Sequence, residues 1–294
     1  MTQKLSRRRA LAAVSFGGAA SLSGLTMSAQ GFESDRGATS AAYGLVYTHP
    51  LEQLIGDLTD SERGDPHRES EVPHRDWYSQ RERRRMGSWG PKARTYPPLP
   101  GLEARPLEWK RERVIATAAR FIGYGYQHHH IPDWDPPADW PWQSTCVGHN
   151  GKGFDCSNFT SFVYNQGFGI RVTAAVADQS NVHRAFESSG RAIELRRIEL
   201  PKDLAGRQEI LRTGDLLYIR GREDGPVTHV VIWVGAVGRS TSGVPLVMDS
   251  HGPNVRDDEG RSIPCGVQLR PFRAKSWYSR CASHAHRIFH KASG

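Results

Sequence analysis

The last third of the chain contains three short apolar runs separated by glycine-rich turns, and this succession constrains the fold more than any other feature. Their length and composition predict β-strands. The three runs cover residues 215–220, 229–234 and 244–249. Residues 228–235 are apolar on both faces, which is typical of a central strand covered on each side.

Helical patterns precede these strands. Apolar residues recur at helical spacing at Val114, Ile115, Ala118 and Phe121, and a polar helical segment is predicted around residues 179–186. Helices followed by consecutive strands predict an α+β domain, in which N-terminal helices pack on a central antiparallel sheet.

Cys156 stands where a loop turns into an amphipathic helix. The apolar residues that continue its helical face are Phe159, Phe162 and Val163. Cys156 therefore lies in the first turn, where unpaired backbone N–H groups and the helix dipole favour a thiolate and supply donors for an oxyanion. Asp155 and Ser157 are candidates for capping this helix.

Two histidines mark the ends of neighbouring predicted strands. His229 stands at the entrance of the second strand, and His251 follows the third. A nucleophilic thiol needs a base within hydrogen-bond reach and a third polar group that orients the base. We therefore predict Cys156 as nucleophile, His229 as base and His251 as the orienting residue. The backbone N–H of Cys156 or Ser157, with the Tyr126 hydroxyl, would stabilise the oxyanion.

The order helix-cysteine, strand-histidine, strand-histidine resembles the NlpC-type family of papain-like cysteine peptidases, the bacterial cell-wall endopeptidases. The resemblance covers roughly residues 108–255. Four fragments carry it: a first helix at 111–123 leading to Tyr126, then Phe154-Asp155-Cys156-Ser157, Arg212-Thr213-Gly214-Asp215-Leu216 and Thr228-His229-Val230. It implies a papain-like fold and cleavage of the bond after D-glutamate in peptidoglycan stem peptides. The candidate oxyanion- and substrate-binding residues are Tyr126, Asp155, Ser157 and His128.

The chain departs from the family pattern around the cleft. Tyr126 is followed by Gln127 and three histidines instead of the usual Tyr-x-x-Gly-Gly, and a long Trp- and Pro-rich insertion precedes the cysteine. Asn158 replaces the usual glycine after Asp-Cys-Ser. We therefore expect the family's chemistry to be kept more closely than its specificity.

Alternative functions stay open. A cell-wall amidase or an acyltransferase would use the same Cys156–His229 pair, and a wall-binding protein would carry a degenerate site. A metal-dependent hydrolase would use the histidines at 128–130, with His149 and Cys146. Because adjacent histidines point in different directions, we expect them to line the cleft or to lie on the surface, and we predict no metal and no cofactor.

The N-terminus has the pattern of a twin-arginine export signal. Arg7, Arg8 and Arg9 precede a weakly apolar run rich in Gly, Ala and Ser, and no acidic residue occurs before Glu33. Residues 1–29 are therefore predicted to be a signal peptide, and the mature protein to be periplasmic or secreted, without stable membrane insertion.

Much of the positive charge of the chain belongs to the predicted signal. Without the four basic residues of the signal, the basic count falls from 39 to 35 against 31 acidic residues, so the formal net charge falls from +8 to +4. The remaining excess lies in runs such as 81–85, and no nucleic-acid-binding module is recognised. The expected partners are peptidoglycan peptides, and the expected state is a monomer.

Residues 30–105 have few apolar runs, and we predict an extended, partly irregular arm or pro-segment ahead of a peptidase domain at 106–294. An exported chain with four cysteines permits disulfides. Cys265 and Cys281 lie close enough in sequence to close a short loop, but sequence does not fix the pairing. If Cys156 stays free as a nucleophile, at least one more thiol is unpaired, with Cys146 the candidate.

Overall fold

The computed structural model describes residues 43–59, 70–86, 91–132, 146 and 152–291. The predicted signal peptide, and most of the Trp- and Pro-rich insertion, lie outside these residues. None of the described helices is long and apolar enough to cross a membrane.

Most of the described helices are short. In chain order, the helices are α1 (Leu51–Ile55), α2 (Gln80–Met86), α3 (Leu107–Ala119), α4 (Cys156–Phe168), α5 (Val176–Gln179), α6 (Leu204–Ile210) and α7 (Trp277–Arg280). Two of them, α3 and α4, are 13 residues long. Short 3₁₀ segments lie at Gly56–Thr59, His74–Asp76, Leu102–Ala104 and Gly235–Val237.

The strands of the described residues form one large sheet and three small ones. They are β1 (Gly125–Tyr126), β2 (Gly153–Phe154), β3 (Ile170–Arg171), β4 (Arg184–Glu187), β5 (Ala192–Glu194), β6 (Arg196–Glu199), β7 (Leu216–Arg220), β8 (Val227–Trp233), β9 (Leu246–His251), β10 (Val255–Arg256), β11 (Ser262–Ile263), β12 (Gly266–Pro271) and β13 (Ala282–Arg287). The large sheet has the order β12-β9-β8-β7-β13-β6, and all its pairs are antiparallel. The predicted α+β fold with a central antiparallel sheet is confirmed.

The central strand β8 is covered on both faces, as its composition predicts. On one face, Val230 and Ile232 belong to the core that also contains Phe159 of α4. On the other face, Val231 and Trp233 belong to a second core. Alternate residues of one strand thus enter two different cores, which explains the continuous apolar run.

Helix α4 carries Cys156 as its first residue, as predicted. The Asp155 carboxylate caps the helix by accepting a hydrogen bond from the Asn158 backbone N–H at 2.8 Å. Gly169 ends it in the left-handed region, with φ 71°, where a Cβ would lie 2.4 Å from the Pro97 carbonyl oxygen. The Asp155 cap, the buried apolar face and Gly169 together fix where the helix begins and ends, and so place the thiol in its first turn.

The described residues ahead of α3 pack onto the domain as part of one compact unit. Leu54, Trp77 and Tyr96 are fully buried. Two buried side chains of α3 hold this segment: the Glu112 carboxylate accepts from the Thr48 N–H at 2.8 Å, and Arg113 binds Asp57 at 2.6 Å. The described part of the arm contains short helices as well as irregular chain, and buried polar contacts anchor it.

The predicted helix at 179–186 is wrong. The helix α5 ends at Gln179, and β4 follows it in a three-stranded sheet of order β3-β4-β5. Along β4, Arg184 and Phe186 are exposed while Ala185 and Glu187 are buried. This alternation is the period of a strand, and the polar composition of the segment hides it.

Candidate active site

The Cys156 side chain is buried, with 5% of its surface exposed, at the N-terminus of α4. The capping carboxylate of Asp155 also accepts hydrogen bonds from the Ser157 hydroxyl at 3.2 Å and the Asn158 amide at 2.8 Å. Asp155 is therefore the cap, and Ser157 supports it. The N–H groups of this first turn have no carbonyl partner within the helix, so they can serve as oxyanion donors.

His229 lies between Cys156 and an acidic side chain. Its ring makes a hydrogen bond with the Cys156 side chain, and its Nε2 lies 2.6 Å from Oδ2 of Asp249. Because Nε2 is bound to the carboxylate, Nδ1 is the nitrogen that remains for the thiol. Burial alone lowers the pKa of His229, but the Cys156 and Asp249 partners outweigh it and raise this pKa to about 10.

Asp249 occupies the orienting position that the sequence assigned to His251. The prediction for His251 is wrong in its geometry, because Nδ1 of this ring faces the Gly252 carbonyl oxygen at 3.0 Å. The His251 ring packs edge-on against that of His229, with centroids 5.0 Å apart. Burial lowers the pKa of His251, so this ring is neutral at pH 7.

The Asp249 carboxylate is fully buried and fully bonded. Its Oδ1 accepts from Nε of Arg270 at 2.8 Å, and its Oδ2 accepts from the Tyr278 hydroxyl at 2.7 Å as well as from His229. Burial raises the pKa of Asp249, but the Arg270 charge and the His229 hydrogen bond outweigh it and hold this pKa below its ordinary value. The orienting group is therefore a fixed anion.

Tyr126 and His128 line the same cavity as the thiol. Strand β1 pairs with β2, which places Tyr126 opposite Phe154, two residues before the cysteine. Burial raises the pKa of Tyr126, as do the charges of Cys156 and Asp155, so its hydroxyl keeps its proton and can donate. Nδ1 of His128 lies 3.5 Å from Oδ2 of Asp155.

The other two histidines of the 128–130 run point to different neighbours. His129 is buried and its Nε2 faces the Gln127 side-chain oxygen at 2.6 Å, while the His130 ring bonds to the Asn158 side chain. Burial lowers the pKa of both rings. Among the described residues, no three His, Cys, Asp or Glu side chains are placed to hold a metal ion. His149, in the metal-dependent alternative, lies outside the described residues.

A cavity of about 680 Å³ opens in front of the thiol. Its wall contains Tyr126, His128 and Cys156, together with Arg85 and Lys92 from the N-terminal arm. The arm therefore forms part of the site.

A disulfide joins Cys146 to Cys265, and Cys156 and Cys281 are free and buried. The suggested Cys265–Cys281 pairing is wrong, as is the choice of Cys146 as a further free thiol. The Cys146 N–H donates to the Tyr126 carbonyl oxygen at 3.3 Å, so the bridge connects the residue beside Tyr126 to the start of β12.

The model of the NlpC/P60 family matches residues 145–242. Residues 145–242 belong to the NlpC/P60 family. NlpC/P60 proteins are cysteine peptidases, and the matched range contains both Cys156 and His229. The recognised family and enzyme class are confirmed for this region. The match ends before Asp249 and His251, so it does not choose between them.

Two solved structures are similar to this chain at low TM-scores. An NlpC/P60 family protein from Bacillus cereus is 23% identical, with a TM-score of 0.35, and the match covers 61% of this chain and 40% of that protein's length. The NlpC/p60 domain of the peptidoglycan hydrolase SagA is 20% identical, with a TM-score of 0.33, over 60% of this chain and 98% of that domain. No curated protein matches the sequence.

Three residues around His229 could not be found from the sequence: Asp249, Arg270 and Tyr278. Asp249 stands two residues before His251, on the same side of the strand, so spacing alone does not separate the two. Arg270 and Tyr278 lie where no element is predicted. The one signal in the sequence is that Asp249 ends an apolar run, where a carboxylate must find a partner if it is buried.

Proposed function

We propose that the protein is an exported cysteine hydrolase that cleaves amide bonds in peptidoglycan stem peptides. The observation that carries this proposal is the arrangement of Cys156, His229 and Asp249. The thiol starts a buried helix and lines a cavity of about 680 Å³, the imidazole bonds to the thiol, and a fixed anion holds the imidazole. A buried cystine or a structural cysteine has no need of this arrangement.

The first half of the reaction forms an acyl-enzyme. The Cys156 thiolate attacks the amide carbonyl carbon, and the carbonyl electrons move to oxygen. The first-turn N–H groups and the Tyr126 hydroxyl stabilise this oxyanion. Protonated His229 then gives its proton to the leaving nitrogen, the C–N bond breaks, and a thioester remains on sulfur.

The second half returns the enzyme to its starting state. Neutral His229 takes a proton from water, and the resulting hydroxide attacks the thioester carbon. The C–S bond breaks, the carboxylic acid leaves, and the thiolate faces the imidazolium again. General acid–base transfer of this kind contributes about 10²–10⁴-fold. Asp249 keeps Nε2 protonated, so Nδ1 is always the nitrogen that exchanges the proton.

The bond proposed is the one after D-glutamate, to the diamino acid. The family resemblance supports it, through Tyr126 and the Phe154-Asp155-Cys156-Ser157 motif. His128 and His130 stand in the wall of the same cavity, so the choice of diamino acid is expected to depend on them.

Export is proposed from the twin-arginine pattern within residues 1–29. The Cys146–Cys265 disulfide supports it, because disulfides persist in oxidising compartments such as the periplasm or the cell exterior. A fusion of residues 1–29 to a reporter that is exported only when folded tests the proposal. We expect the unchanged signal to export the reporter. The variant with Arg8→Lys and Arg9→Lys should leave the reporter inside the cell.

The test of the activity is mass analysis of purified peptidoglycan after digestion by the mature protein. We expect fragments that end in D-glutamate, and no such fragments after iodoacetamide treatment or with Cys156→Ser. A melting temperature close to that of the unchanged protein is expected for Cys156→Ser, since the two side chains are nearly isosteric.

Other fragment patterns would overturn the proposal in recognisable ways. Release of whole stem peptides from the sugar would indicate an amidase, and transfer to an added amine would indicate an acyltransferase. Activity that survives iodoacetamide but is lost with a chelator would show a metal-dependent reaction. Equal loss of activity and of thermal stability in Cys156→Ser would indicate a structural cysteine.

A further inference from the structure

A second cavity of about 580 Å³ adjoins the one in front of Cys156. The two cavities have wall residues in common, which makes them neighbouring parts of one groove. The common residues are Lys92, His130, Asn158, Ala174 and Ala175. A substrate chain that crosses the thiol can therefore extend into the second cavity without leaving the groove.

The wall of the second cavity is basic. Lys92 of the arm, Arg171 of β3 and Arg184 of β4 line it and are exposed, and Glu71 is the one acidic residue among the described wall residues. Within the described part of the chain, none of these three cations has a carboxylate at ion-pairing distance. The neighbouring Arg191, by contrast, binds Glu187 and Glu103.

The three-stranded sheet aims its two arginines at the same side. Arg171 pairs in register with Phe186, and Arg184 stands two residues before Phe186 on β4, so the three side chains share one face. Phe186 lines the cavity and keeps 50% of its surface exposed. Glu194 lies opposite Arg184 in register, but it does not line the cavity.

We infer that the second cavity binds a carboxylate-bearing part of the peptide substrate, through Lys92, Arg171 and Arg184. This inference rests on the proposed function, since it names which part of a wall peptide the groove selects. Guanidinium groups match carboxylates with two parallel hydrogen bonds, and the exposed ring of Phe186 offers a surface for the apolar part of the same chain.

The inference also gives the N-terminal arm a role. Lys92 reaches the groove because the arm packs on the domain next to it, where Asn165 of α4 donates to the Arg94 carbonyl oxygen at 2.7 Å and accepts from the Tyr96 N–H at 3.1 Å. The arm is then a wall of the substrate site, and removing it would weaken binding. A pro-segment that blocks the groove would have the opposite effect.

Two stem tetrapeptides test the inference: one with all carboxylates free, and the same peptide with its side-chain and α-carboxylates amidated. Binding is measured by calorimetry on Cys156→Ala, which cannot turn over, and kcat/KM is measured on the unchanged thiol. We expect tighter binding of the free peptide. Each of Lys92→Met, Arg171→Met and Arg184→Met should reduce that preference roughly 2–5-fold.

The triple variant should reduce the preference on the order of tenfold to a hundredfold if the sites add. Its matched control is Lys202→Met, Arg196→Met and Arg222→Met, which removes the same charge from exposed positions outside both cavities. The control should keep the preference, which separates local contacts from the general field of the protein.

The outcomes are distinguishable. If both peptides bind Cys156→Ala equally, or if the triple variant keeps the preference, the inference is wrong even where hydrolysis depends on Cys156. If the peptides bind with the expected preference but no bond is cut, the inference stands and the proposed hydrolysis fails. If the matched control loses the preference to the same extent, the preference depends on the net charge of the protein and not on the second cavity, and the inference is also wrong.

Discussion

Replacing Asp249 with asparagine separates the two candidates for orienting His229. In the structure the Asp249 carboxylate accepts hydrogen bonds from His229, Tyr278 and Arg270. His251 contacts the same imidazole only through ring packing. The Asp249→Asn variant keeps the shape of the side chain but removes its charge and one of its two acceptor oxygens.

The amide can satisfy only one side of the carboxylate. If its oxygen faces His229, its NH₂ faces Nε of Arg270, and a fully buried guanidinium is left without its anion, which costs about 3–5 kcal/mol of stability. If its NH₂ faces His229, Nε2 must become an acceptor, which disfavours the imidazolium. Either orientation lowers the pKa of His229, and we expect kcat/KM to fall by about 10²–10⁴-fold.

His251→Gln is expected to cost less than about tenfold, because it removes a neutral ring and no hydrogen bond to His229. The assay is kcat/KM on a purified stem peptide as a function of pH, with the melting temperature of each variant as a check of folding. If Asp249→Asn is too unstable to assay, Tyr278→Phe removes a single donor from the carboxylate and should still lower kcat/KM measurably. A larger loss in His251→Gln than in Asp249→Asn would refute the assignment.

Three further predictions follow from the same contacts. The partners of His229 raise its pKa to about 10, above the ordinary value of about 6.5. The imidazolium therefore persists up to that pH, and kcat/KM should decline only as the pH rises through about 10. A decline near pH 6.5 would refute the ion pair. Arg270→Met should lower the free energy of unfolding by about 3–5 kcal/mol in urea titrations, since it leaves the buried Asp249 carboxylate without its guanidinium partner. A loss below about 1 kcal/mol would contradict the buried pair. Cys265→Ser should cost about 2–4 kcal/mol of stability and lower kcat/KM, because the bridge no longer holds Cys146 against the Tyr126 backbone. An unchanged melting temperature would show that the bridge does not form.

The central strands and the cysteine helix could be predicted from sequence because apolar composition alone marks them. The strands on either side of these central ones, β12 and β13, could not. In β12, Gln268 and Arg270 are almost fully buried, and in β13 the same holds for His284 and His286. These polar side chains are buried with partners from distant segments, as when Nε2 of His284 faces the Ser180 carbonyl oxygen at 2.8 Å. A one-dimensional pattern does not contain such partners.

The orienting residue was missed for a related reason. The paired residues of β8 and β9 are Ile232 with Met248 and Trp233 with Val247. Extending that register would place His251 opposite His229, which is the geometry that the sequence prediction assumed. The imidazole instead reaches diagonally to Asp249, and this choice depends on Arg270, which stands on the next strand. The charge that decides the contact is visible only in three dimensions.

Buried residues of the site determine its chemistry, and exposed residues of the groove are proposed to determine its specificity. Asp249 and Arg270 are fully buried, so a change in either alters both stability and the pKa of His229. Lys92 and Arg171 are exposed on the arm and on a small sheet, where substitutions usually change stability by no more than about 0.5 kcal/mol. Substituting the groove cations should therefore change which peptide is bound and leave the alkaline limb near pH 10 in place. A shift of that limb in Lys92→Met would mean that the groove and the ion pair act as one electrostatic unit.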